Sequence, residues 1–366
     1  MIRKKSWTLL IALAVLLTGL PLLGVATAGK DLADYLRFPP VTAFVVHAPF
    51  SWIVFWMFIL VTVASVAPFI YRLSGSTGVA PVLPARASFP WWGWLGGIIV
   101  VLAWWLAWAR FPWFAPLQPF TFSPIWLGYI LVVNALTYAH AGHCLLRDRP
   151  RYFLALFPFS AAFWWSFEYL NRFVQNWYYM GSAGFTPWEY FWYATLPFAT
   201  VLPAVLSTRE LLASLPWLSR GLETAWPINL PHRKLIATAV LVLAGGTLTA
   251  IGVWPELLFP ALWLAPLLSV TALQVIAGEP TIFEPVSHGD WSRLWQAAMA
   301  ALLCGFFWEL WNYKSLVHWQ YSVPFVQRFQ LFHMPLLGYA GYLPFGLECL
   351  ALASLLDPAR NQGNKK

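Results

Sequence analysis

Long apolar stretches alternate along the chain with short clusters of arginine, proline and glycine. Each stretch approaches or exceeds the ~20 residues that carry an α-helix across a bilayer core. Read this way, the chain forms helices at 7–25 and 48–71, then four at 91–109, 125–145, 152–174 and 189–206, and four more at 234–254, 257–277, 294–313 and 331–355. The Gly-, Ser- and Pro-rich stretch 72–88 reads as a linker. The expectation is an all-α integral membrane protein with about ten transmembrane helices. That count falls to about nine if the N-terminal segment is cleaved. Arg3-Lys4-Lys5, an apolar run and Ala26-Thr27-Ala28 have the order of a signal peptide, and the run is equally long enough for an uncleaved anchor.

The two sets of four align as tandem repeats. FWWSFEYLNRFVQNWYY at 163–179 is matched by GFFWELWNYKSLVHWQY at 305–321. Both copies carry Glu, Asn three residues later, and then Trp-x-Tyr: Glu168, Asn171, Trp177, Tyr179 and Glu309, Asn312, Trp319, Tyr321. Trp126-Leu127 recurs as Trp263-Leu264, and Leu196-Pro197-Phe198 as Leu343-Pro344-Phe345, so the offset grows only where loops absorb insertions. An even number of spans per unit makes the repeats parallel. The chain then divides into a leader or first helix (1–29), an outer loop, second helix and cytoplasmic linker (30–89), repeat 1 (90–215), and repeat 2 with a short tail (216–366).

Composition agrees with the pattern. The chain is 60% hydrophobic and only 10% charged, too little charge for an ordinary soluble surface. Placing the N-terminus inside puts sixteen of the 22 basic residues in the cytoplasm, among them Arg72, Arg86, Arg149, Arg209, Arg293 and Arg360. Both termini are then cytoplasmic, in a cell inner (plasma) membrane. The net charge of +8 is thereby absorbed by topology, and no basic stripe remains for nucleic acid.

Against this apolar background the intramembrane carboxylates stand out, since a charged side chain there is costly and marks function by default. Asn171 and Asn312 share the helical faces of Glu168 and Glu309. Arg172, at i+4 from Glu168, is its expected ion-pair partner, whereas Glu309 has Tyr313 there; Glu309 is therefore the better candidate proton donor. His318 beside it is a candidate proton shuttle. Trp177, Tyr179, Trp319 and Tyr321 fit either a ligand-pocket cap or the aromatic belt at the outer interface. Glu348 lies inside the last span. Thr186-Pro187-Trp188-Glu189 reads as a capping box, and Asp290 as an N-cap. His140, His143 and Cys144 lack a third strong ligand at suitable spacing, so no metal is expected. Walker A, GxSxG, HExxH and GxGxxG patterns are absent from the sequence, and no cofactor is expected.

Twenty-five Trp, 28 Phe and 14 Tyr exceed what an interfacial belt requires and suit the walls of a site for a flat apolar ligand or a passing positive charge. The first functional expectation is binding or modification of a lipid or isoprenoid from the outer leaflet, with Glu309 and Glu168 as acid/base groups and Asn171, Asn312, Arg172 and the Trp-x-Tyr rings around the ligand. The alternatives are a transporter or channel with a polar path between the repeats, extended inward through Asn134, Glu348 or His140, and a non-catalytic assembly subunit.

Overall fold

The computed structural model describes residues 4–40, 43–75 and 87–357. Most of the expected linker, with Arg86, and the tail with Arg360, Lys365 and Lys366 lie outside the described residues, as does Arg3. The chain is predominantly helical: α1 (Lys4–Thr27), α2 (Leu32–Leu36), α3 (Trp52–Ser74), α4 (Trp91–Ala109), α5 (Phe122–Ala141), α6 (Leu145–Asp148), α7 (Pro150–Val174), α8 (Pro187–Phe198), α9 (Val201–Ala213), α10 (Arg233–Ile251), α11 (Pro255–Leu258), α12 (Ala261–Ile276), α13 (Ser292–Asn312) and α14 (Tyr342–Leu356). Among the described residues, eight helical segments are long and apolar enough to cross a membrane. Beside them, α7 carries Arg151, Glu168 and Arg172, which lower its hydropathy, and α12 is shorter.

Small residues set the closest crossings, as expected where helices gain nothing from hiding apolar surface and must pack by shape. At the α4–α5 crossing, a Cβ on Gly96 would stand 2.8 Å from the Gly128 carbonyl oxygen, and one on Gly128 would stand 2.7 Å from that of Gly96. α1 meets α10 in the same way: a Cβ on Gly24 would overlap the Thr249 carbonyl, and one on Gly252 would strike that of Pro21. The N-terminal segment is thus a packed helix of the bundle, further tied by Tyr169 donating to the Thr18 carbonyl at 2.7 Å.

Three expected helices are interrupted. The stretch 189–206 is two helices, α8 and α9, parted at Ala199 and Thr200 next to Pro197 and Pro203. Ser160 of α7 fills the break: its hydroxyl donates to the Phe198 carbonyl at 2.6 Å and accepts from the Leu202 amide at 3.0 Å, replacing bonds that a straight helix would have made itself. The capping box opening α8 is present, with Thr186 and Glu189 bonded reciprocally. The stretch 257–277 breaks into α11 and α12 around Phe259 and Pro260. The last expected helix begins only at Tyr342, after a small hairpin (Gln330–Leu331 with Met334–Pro335) and a 3₁₀ turn (Leu336–Gly341). Asp290 caps α13 through the Ser292 amide at 2.9 Å, one residue earlier than the N-cap position itself.

The polar ends of the bundle are distinct. At one end Lys5 pairs with Glu279 at 3.6 Å, Arg149 pairs with Asp357, and Arg72 donates to the Gly221 and Thr224 carbonyls. At the other lies an element the apolar pattern does not predict, a two-stranded antiparallel ribbon of β1 (Trp177–Met180) and β2 (His318–Tyr321). The segment before α3 crosses this end as a strap, bonded through Val45, Ala48 and Ser51 to Ser322 and Phe325.

Candidate functional site

The ribbon follows directly from the Glu-x-x-Asn motifs. Helix α7 ends at Gln175 in the left-handed region (φ 49°), which turns the chain back over the helix end. Asn171 then clamps the returning chain: its Nδ2 donates to the Trp177 carbonyl at 2.8 Å and its Oδ1 accepts from the Asn176 amide at 2.8 Å. Asn312 treats β2 alike, donating to the Trp319 carbonyl at 2.8 Å and accepting from the Trp319 amide at 2.9 Å. Both side chains thus hold the backbone that returns over the helix end.

In register, Trp177 faces Tyr321 and Tyr179 faces Trp319, so each Trp-x-Tyr pairs with the other in reverse order. Strand alternation sends these four rings to one face of the ribbon. These rings turn inward onto the carboxylates. Glu168 Oε1 accepts from Trp177 Nε1 at 3.1 Å, Tyr179 OH at 2.6 Å and Trp164 Nε1 at 3.1 Å. Glu309 Oε1 accepts from Trp319 Nε1 at 3.3 Å, Tyr321 OH at 2.6 Å and Tyr342 OH at 3.0 Å. Glu168 is 1% exposed and Glu309 0%, and the second oxygen of each, Oε2, is buried with no hydrogen-bond partner.

The third donor differs between the two Glu-x-x-Asn segments. In the first it is Trp164, one turn before Glu168 on the same helix. One turn before Glu309 stands Gly305, where a Cβ would be 2.3 Å from the Tyr342 ring. Glycine thus vacates the space through which Tyr342 reaches Glu309 from α14. The residue that precedes Leu196-Pro197-Phe198 as Tyr342 precedes Leu343-Pro344-Phe345 is Thr195, too short for that role, and it accepts from Trp165 instead. The same cross-over holds deeper in the bundle, where Trp126 packs on Trp308 (ring centroids 5.1 Å apart) and its counterpart Trp263 packs on Phe167 (5.2 Å).

All six donating rings line one cavity of about 100 Å³, together with Trp263, Trp308, Tyr190 and Tyr193. Both carboxylates are thereby wired to a single space. Four of its lining residues, Trp177, Trp263, Tyr321 and Tyr342, also line a second, more apolar groove of about 470 Å³. That groove is closed on one side by α3, whose Phe58, Val61, Val66 and Phe69 face it while most of the helix stays exposed.

Two expected partners of the carboxylates stand elsewhere. Arg172 does not pair with Glu168; its Nη1 donates to the Tyr35 and Arg37 carbonyls, each at 2.7 Å, and so fixes the segment after α1. Three neutral donors take its place on Glu168. Hydrogen bonds to a charged group contribute about 1.5–3 kcal/mol each, so three together are comparable with the several kcal/mol that burying a carboxylate costs. His318 lies on the opposite face of the ribbon, its Nδ1 3.1 Å from the Ser315 carbonyl oxygen and its ring stacked on His333 at 5.3 Å. Burial pushes the His333 imidazole below its ordinary range.

Of the polar groups toward the other end, Asn134 is tied to Ser207 Oγ, the Ile130 carbonyl and the Leu146 amide, which is helix-to-helix bonding. Trp164, Tyr342, Trp263, Trp308, Tyr190 and Tyr193 are among the site residues that the sequence pattern does not mark. The differences of Trp164 from Gly305 and of Thr195 from Tyr342 can be read by aligning the two motifs, but only proximity in space gives them meaning. The chain matches no protein-family model, no curated protein and no solved structure.

Proposed function

We propose that this is a multi-pass membrane protein that binds or modifies an apolar lipid or isoprenoid, with the ligand's apolar part in the groove behind α3 and its polar or reactive end in the aromatic cavity. In this reading Glu168 and Glu309 are the acid/base pair, Glu309 the leading proton donor, and the two four-helix units are a tandem duplication. The termini face the cytoplasm and the ribbon faces outward, in accord with the gathering of Lys5, Arg72 and Arg149 at the opposite end of the bundle.

The observation that carries this reading is that six rings bonded to two buried carboxylates line one cavity, next to a larger groove with which it shares four side chains. Few convergent polar groups in a mostly apolar hollow are the mark of a small-molecule site. The test is mass spectrometry of lipids extracted from the purified protein. Wild type should carry a lipid enriched over the bulk membrane. Ala298→Phe, which projects a ring into the groove, should lose it, and Glu309→Gln should change its identity or amount. Lipid content that follows the bulk membrane in all three proteins overturns the proposal.

A further inference from the structure

We infer that the aromatic cavity is a site for a compact organic cation, of the quaternary or tertiary ammonium class, at the polar end of the ligand. This deepens the ligand-binding reading above and rests on it. The first ground is charge. Among the described residues neither Glu168 nor Glu309 forms a salt bridge, and Arg172, the nearest expected partner, is held by two backbone carbonyls. Two buried carboxylates, each set behind three rings of one small space, are thus without an ion-pair partner from the chain.

The second ground is the wall. A ring that gives its N–H or O–H to an anion gains electron density on its π face, and π faces attract cations. Six of the rings around the cavity are polarised in this way, three by each carboxylate. The third ground is the unpartnered Oε2 of both glutamates: a buried polar atom without a donor leaves part of each carboxylate's charge unmet within the chain, which adds to the pull of the rings in front of it on a cation. A quaternary ammonium has no N–H to donate, so it suits a wall in which six ring donors are already spent on the carboxylates. An anionic or neutral polar head meets no free donor from these six rings.

The experiment compares the dodecyltrimethylammonium ion with its neutral isostere, in which carbon replaces nitrogen, as ligands of the purified full-length chain in maltoside detergent, read by native mass spectrometry. The cation should bind at least tenfold more tightly than the isostere. That preference should vanish in the Glu168→Gln/Glu309→Gln double variant and shrink in Tyr321→Phe, which keeps the ring but removes its bond to Glu309. Tyr321→Phe changes one atom and guards against a double variant that fails to fold. If the isostere binds as tightly as the cation, the cation site is overturned while the apolar-ligand reading stands. If neither binds, both fall.

Discussion

At the scale of single residues, the site depends on exchanges between large and small side chains. Gly305 is the sharpest case, because any side chain there meets the Tyr342 ring. Gly305→Ala is expected to lower stability by about 1–3 kcal/mol, the usual cost of overpacking a filled interior, and to detach Tyr342 from Glu309. A thermal melt lowered relative to wild type, together with loss of any cavity ligand, checks both parts.

A second residue-scale prediction concerns the clasp on the strap. His47 Nδ1 lies 2.5 Å from Glu256 Oε1, and the Ala48 amide donates to Oε2 at 2.9 Å. Burial pushes the Glu256 carboxyl up, but the bonds from His47 and Ala48 together bring it below its ordinary range. A depressed folded-state value means that the clasp's contribution is present above the ordinary glutamate range and is lost as pH falls through the depressed one. Hydrogen exchange across 43–51 should therefore accelerate as the pH is lowered through that range, and in Glu256→Gln it should be fast and insensitive to pH there.

At the scale of elements, the instructive feature is the broken span α8–α9. Its sequence reads as one helix over 189–206, and it becomes two with Ser160 from α7 satisfying the backbone at the break. Ser160→Ala leaves a buried carbonyl and a buried amide without that partner, an expected cost of about 1–3 kcal/mol per group. Ser160→Thr, which keeps the hydroxyl, should retain more stability if the site accepts one methyl. Melting temperatures in the order wild type, Thr, Ala are the outcome to look for; an Ala variant as stable as wild type would show that the break holds itself.

At the scale of the whole molecule, the two ends of the bundle differ in character. One carries Arg72, Arg149, Lys5 and their partners, while the other carries the ribbon and the strap. The three native cysteines are buried, so added ones can be read separately. Lys30→Cys should react with a membrane-impermeant maleimide on intact cells, and Arg151→Cys only after permeabilisation. The reverse pattern would invert the proposed orientation and place the cavity toward the cytoplasm.

Apolar run length by itself determined that the chain is a bundle of membrane-length helices, because bilayer thickness acts on each segment independently of its neighbours. The Glu-x-x-Asn…Trp-x-Tyr recurrence likewise marked Glu168 and Glu309 without any structure. What the tertiary structure alone decided is what those groups touch. Arg172 is adjacent to Glu168 by helical spacing yet serves the Tyr35 and Arg37 carbonyls, since the segment after α1 packs there, and nothing local to 168–172 encodes that. The ribbon, the break at Ser160, and the reach of Tyr342 past Gly305 each join residues far apart in the chain. Such contacts depend on how helices pack, and periodicity along a single helix carries no record of them.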